Sequence, residues 1–84
     1  MTLHEIILNI PKGYSEVYHN QRKYSVVRTD FTDGKSLKVL AEELGGTDFI
    51  SFNYYITTKD AHLKPCEMPE QKVVDFLLRS TIIL

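Results

Sequence analysis

Four turn signals constrain this chain more than any other feature. Asn20-Gln21, Asp33-Gly34, Gly45-Gly46 and Lys59-Asp60 interrupt a stretch that otherwise favours pleated backbone. Asn, Asp and Gly tolerate the positive φ angles that tight hairpins require. The segments between the turns read with a period of two. Tyr14, Glu16 and Tyr18 point one way, and Ser15, Val17 and His19 the other. Residues 24–31 are rich in strand formers: Tyr24, Val26, Val27, Thr29 and Phe31. Ile50, Phe52, Tyr54 and Ile56 form one apolar face, while Phe49, Ser51, Asn53 and Tyr55 form a more mixed one. His62-Leu63-Lys64 reads as a short last strand, closed by Pro65, which has no amide proton for a ladder.

One segment pulls in two directions. In residues 36–44, Leu37, Leu40, Ala41 and Leu44 fall at helical spacing, with Ser36 as a possible cap and Gly45 as a stop. Hairpin-type turns flank the same segment on both sides. The turn chemistry outweighs the local propensity, and a strand is expected.

The ends of the chain are helical. Thr2 and Glu5 fit a capping box. Leu3, Ile6, Ile7 and Ile10 then fall on one stripe, and Pro11 and Gly13 stop the helix. A helix this short cannot persist alone and must dock on something larger. Pro69 suits the first position of a second helix, in which Val73, Phe76 and Leu77 make the apolar stripe. Glu70 near its start and Arg79 near its end both suit the helix dipole. The expected domain therefore spans residues 1–84, with a helix at 2–10, a sheet at 13–64, a helix at 69–79 and an apolar tail at 80–84. Ile82, Ile83 and Leu84 in that tail either fold back or meet a partner. The fold class is α+β: an antiparallel meander of four to five strands with both helices on one face.

Composition narrows the function. With 84 residues the chain is one small domain, too short for a two-domain enzyme with a large cleft. Its 43% hydrophobic and 25% charged content is that of a folded globule rather than a disordered segment. Ten basic against eleven acidic residues, interleaved along the chain, argue against a general nucleic-acid binder or a polybasic membrane anchor. Residues 3–10 contain His4, Glu5 and Asn9, so they form neither a signal peptide nor a membrane span. Cys66 is the sole cysteine and cannot form an intrachain disulfide, which makes a reducing compartment, most simply the cytoplasm, the expectation.

Few residues carry the marks of chemistry. Cys66 precedes a helix start, where a dipole lowers a thiol pKa, with Lys64 helping and Glu67 opposing. It reads more readily as a small buried residue at a strand–helix joint, and is only the weak catalytic candidate. His4, His19 and His62 lack metal-ligand spacing, so neither a metal nor a cofactor is expected. Gly34-Lys35-Ser36 imitates the end of a P-loop, but the earlier glycine is replaced by Thr29. Glu42 and Glu43 are adjacent, and on a strand they face opposite sides. Five tyrosines and four phenylalanines, with Arg22, Lys23 and Arg28, could stack single-stranded bases, but cross-strand packing explains them more simply.

Several strings have a wider likeness: Ala41-Glu42-Glu43-Leu44-Gly45-Gly46, Asp48-Phe49-Ile50-Ser51, Asn53-Tyr54, and Lys64-Pro65-Cys66-Glu67-Met68-Pro69 followed by Lys72-Val73 and Phe76. Together they resemble a family of small uncharacterised bacterial proteins, some of which carry the label peptide methionine sulfoxide reductase. The likeness covers residues 11–78. It implies a bacterial source and a compact α+β fold. The reductases so labelled use a nucleophilic cysteine in a Gly-Cys-Phe-Trp setting, or a cysteine or selenocysteine with zinc-binding cysteine pairs. Here Cys66 stands in Pro65-Cys66-Glu67-Met68, with no Trp and no second Cys to resolve a sulfenic acid, so the resemblance supplies no mechanism.

The sequence thus points to a non-catalytic binding or assembly module, self-associating or meeting a protein partner. Its contacts would come from the sheet face not covered by helices, with Ser51, Asn53 and Tyr55 as binding candidates, or from Ile82, Ile83 and Leu84. The alternative is a thiol-dependent redox enzyme or sensor built on Cys66.

Overall fold

A computed structural model describes residues 1–83 of the chain. The order of elements is α1 (Leu3–Leu8), β1 (Gly13–His19), β2 (Arg22–Phe31), a 3-10 turn (Thr32–Gly34), β3 (Ser36–Glu43), β4 (Phe49–Ile56), β5 (Ala61–Pro65), α2 (Glu70–Arg79) and β6 (Thr81–Ile82). The architecture is the α+β arrangement expected. All six strands lie in one antiparallel sheet in the order β5-β4-β3-β2-β1-β6, with the helices on one face.

The sheet has one strand more than the sequence reading allowed, because the tail joins it. Ser80 leaves α2 in extended backbone, at φ −91° and ψ 149°, and turns the chain back. Ile82 then pairs with Val17 and Thr81 with Tyr18, and the Ile83 amide donates to the Glu16 carbonyl at 2.9 Å. Leu84, expected in the same tail, lies outside the described residues.

Turn chemistry fixes the registers. Asn20 and Gln21 both adopt left-handed backbone, at φ 52° and 65°, and close a two-residue hairpin at His19↔Arg22. The next connection is longer than a two-residue hairpin. Phe31 pairs with Ser36 across a four-residue loop, in which the Lys35 amide donates to the Thr32 carbonyl and Gly34 takes φ 82°. Residues 36–43 are strand despite their helical spacing. Inside that ladder Leu37, Val39 and Ala41 face the core. Ser36 opens a strand, not a helix, so Gly34-Lys35-Ser36 has no helix N-terminus to cradle a phosphate.

The core lies between one sheet face and the two helices. Val26, Leu37, Val39, Ala41, Ile50 and Phe52 floor it, with Phe52 and Val39 fully buried at the centre. α2 presses Val73, Phe76 and Leu77 onto that floor, as its stripe predicts. Pro69 sits one position earlier than expected, as the N-cap, because its ψ of 145° is not yet helical. α1 buries Ile7 and packs Leu3 and Ile6 at the margin, with Ile10 beside them just past the helix, which ends at Leu8 rather than at residue 10. The Thr2–Glu5 capping box forms, with the Glu5 amide donating to Thr2 Oγ1 at 3.2 Å.

A six-residue helix needs further support, and the sheet provides it. Arg28 points to the core side and is 8% exposed. Its Nη1 donates to the carbonyls of Leu8 and Ile10 at 3.1 and 2.7 Å, where α1 ends, and its other donors grip Asp30 at 2.8 and 3.0 Å. The cation thus satisfies orphan carbonyls and complements the negative end of the helix. At the other end, His4 Nδ1 shares a 2.6 Å hydrogen bond with the Tyr54 hydroxyl. Beneath α1, an apolar cavity of about 70 Å³ remains between Ile6, Ile10, Val26, Leu77 and Ile82. The Ser15 hydroxyl lies buried at its wall without a hydrogen-bond partner.

Candidate functional site

Because the pleat alternates, the residues that do not feed the core share the opposite face of the sheet. No helix covers it. Strand registers arrange these side chains in rows running across the strands. The central row is Tyr14, Val27, Leu40 and Ser51, which oppose one another in turn through β1, β2, β3 and β4. Cys66 extends it, since its amide donates to the Ser51 carbonyl at 2.9 Å. On one side runs a row of Glu16, Ser25, Glu42 and Phe49. On the other side run Thr29, Lys38, Asn53 and Lys64, and beyond them Phe31, Ser36, Tyr55 and His62. A largely apolar stripe is therefore flanked by carboxylates on one side and amines on the other.

This face leaves much hydrophobic area in water. Tyr14, Val27, Phe31, Phe49 and Tyr55 are all at least 40% exposed. Near one corner Ile83 is 42% exposed beside Glu16. The Tyr14 hydroxyl donates to Glu16 at 2.6 Å, which holds the Glu16 carboxyl below its usual range and pushes the Tyr14 phenol up. Lys23 adds an ion pair to Glu16 at 3.3 Å. Lys38, Glu42 and Lys64 make no ion pair among the described residues.

Ser51, Asn53 and Tyr55 do share this face, one to a row. They differ in what they present. Ser51 is 7% exposed beneath its neighbours, Asn53 is half-buried, and Tyr55 is open to solvent. Asn53 Nδ2 donates to Cys66 Sγ at 3.4 Å, so the candidate thiol is half-buried and already has a partner. His62 cannot act as its base. The two lie four residues apart on extended chain, which separates them by about 13 Å. His62 instead faces Asp60 at 4.0 Å.

Polar chemistry not singled out from the sequence gathers at the end of the sheet near α2. The Tyr24 hydroxyl donates to Asp48 at 2.8 Å, and Lys72 Nζ donates to the other Asp48 oxygen at 2.7 Å. The Lys72 bond holds the Asp48 carboxyl below its usual range. Burial, with the Asp48 bond, pushes the Tyr24 phenol up to about 12. A phenol so raised stays protonated at neutral pH and serves as a donor, not as a base. His19 is packed between the Tyr24 and Phe76 rings, with Nε2 3.5 Å from Asp75. Arg22 pairs with Glu43 at 3.0 Å beside them. The period of two placed His19 on the side of Val17, which the fold turns inward together with Tyr24; only tertiary packing brings Asp48, Lys72 and Asp75 to meet them.

Among the described residues, no three His, Cys, Asp or Glu side chains converge as a metal site. No helix among them is long and apolar enough to cross a membrane. Comparison with protein-family models, with curated proteins and with solved structures found no significant match to this chain, so the reading of its function rests on the geometry above.

Proposed function

We propose that this chain is a non-catalytic binding or assembly module whose working surface is the open sheet face. The observation that carries this reading is the uncovered stripe of Tyr14, Val27 and Leu40, with Phe31, Phe49 and Tyr55 around it. Exposed apolar and aromatic side chains gathered on one uncovered face, rimmed by polar groups, mark interaction surfaces. Asn53 and Tyr55 supply polar contacts at its edge. The reading also carries a setting, the bacterial cytoplasm, supported by the single unpaired thiol and by the family likeness.

The test is a titration with a naphthalenesulfonate dye, followed by amide NMR. Shifts should concentrate on Val27, Leu40, Asn53 and Tyr55. A response confined to Ile6, Leu77 and Ile82 around the cavity beneath α1 would overturn the assignment of the surface.

One observation favours a second reading. Cys66 lies on the same face and receives a hydrogen bond from Asn53, which would hold the thiol in a fixed position in a redox enzyme or sensor. Alkylation by iodoacetamide across pH decides it. A thiol that titrates in the ordinary range and reacts no faster than a free cysteine removes this reading.

A further inference from the structure

We infer that the partner of the open face is a second copy of this chain, stacked face to face about a two-fold axis that runs along the central row through Leu40. The inference rests on the docking reading above and adds the identity of the partner. It follows from how charge is distributed about the stripe. Rotation by 180° about an in-plane axis along Tyr14, Val27 and Leu40 keeps the apolar row facing its own copy. The same rotation exchanges the two flanking rows, so the carboxylate side of one copy meets the amine side of the other. Lys38 and Glu42 lie on β3, two residues either side of Leu40 and on the same face. Within one chain they are about 13 Å apart, too far to pair. Across the axis each falls opposite the other's counterpart, giving two symmetric Lys38–Glu42 pairs around Leu40. A surface that complements itself in this way is what a closed two-fold dimer needs.

Size and edges support the same arrangement. Five strands about 4.8 Å apart and about 25 Å long present roughly 600 Å² per copy, or about 1,200 Å² for the pair, the lower bound for a specific interface. Association through the sheet edges is hindered. Glu16, Val17 and Tyr18 on the β1 edge are taken by β6 and Ile83, and β5 is five residues long, with Lys64 and Pro65 closing it. Two sheets packed on inner faces about 10 Å apart would also shelter Val27 and Tyr14, which nothing covers in one chain.

The experiment is sedimentation equilibrium on the full chain and on two exposed substitutions, Lys38→Glu and Glu42→Lys, with circular dichroism to verify folding. The wild type should dimerise as concentration rises into the micromolar range. Each substitution alone places like charges opposite one another and should weaken dimerisation at least about tenfold. Mixed in equal amounts, the two variants should associate with each other to within about threefold of the wild-type affinity. Two results overturn the proposal: a wild type that stays monomeric throughout, or a mixture no tighter than either variant alone. The docking reading stands or falls separately. A monomeric wild type whose Val27 and Leu40 still respond to the dye excludes the second copy but keeps the surface.

Discussion

Arg28 makes four hydrogen bonds: two fasten the sheet to the Leu8 and Ile10 carbonyls at the end of the first helix, and two hold Asp30 beside it on β2. Removing Arg28 leaves those carbonyls without a donor in a poorly hydrated position and leaves the Asp30 carboxylate only the longer Lys12 pair at 3.7 Å. We expect Arg28→Ala to cost about 3 kcal/mol in urea denaturation, and Arg28→Lys to recover little, because an ammonium cannot span a fork and two carbonyls. The carboxyls give a pH signature. Asp30, bonded to Arg28, and Asp48, bonded to Lys72, both titrate below the ordinary 3.8 when folded. The folded state is therefore favoured while they are ionised, and loses that advantage as pH falls through their folded values. Urea midpoints should hold between pH 7 and pH 5 and drop below about pH 4. Asp30→Asn should flatten the drop, and a midpoint that falls equally in that variant would assign the acid sensitivity elsewhere. Little of this was legible in the sequence. Alternation along β2 turns Arg28 inward beside Val26, but nothing local says that α1 will end above it. Asp30 lies two residues from Arg28 on the same face of β2, a local relation, whereas the roles of Asp48 and Lys72 arise from a contact 24 residues apart, which no spacing encodes.

Segment 36–43 shows how an element is chosen against its own propensity. Leu37, Leu40 and Ala41 would line one side of a helix, yet as a strand the segment sends Leu37, Val39 and Ala41 inward and Leu40 outward. Central position in the sheet supplies ladder partners on both sides, β2 and β4, and that outweighs a few tenths of a kcal/mol of helix preference per residue. The turns at either end were the readable sign. Substitutions should separate the two roles of the meander. Phe52→Ala, at the fully buried centre of β4, should cost about 3–5 kcal/mol. Leu40→Thr, on the uncovered side of β3, should stay within about 1 kcal/mol while reducing any response of the open face to the dye. Equal losses from the two would mean that the outer face is buried in the isolated chain. The tail was half legible: its aliphatic run announced a need for cover, but whether the cover is this chain depended on the extended backbone at Ser80. Ile82 and Ile83 still remain partly exposed after pairing on β1.

At the scale of the molecule, one side of the sheet is closed by helices and the other is not, as expected of the domain, although alternation assigned faces in advance only for residues 14–19 and 49–56. What the sequence could not convey was the order of charges across strands. Rows form only when registers are known, so the stripe flanked by Glu42 and Lys38 appears in the folded sheet and in no linear segment. If that stripe works by pairing charges, its association should weaken as salt rises, since partly exposed pairs are screened within about 10 Å at 0.1 M. The covered side carries its own consequence. The apolar recess beside Ser15 is only partly open to solvent, and its sheltered part is volume that vanishes when the chain unfolds and water fills every gap. Hydrostatic compression therefore favours the unfolded chain, and does so more strongly the larger the void. Ser15→Val, which replaces a lone hydroxyl with methyl groups, should raise the pressure at which half the molecules unfold and shrink the accompanying volume change.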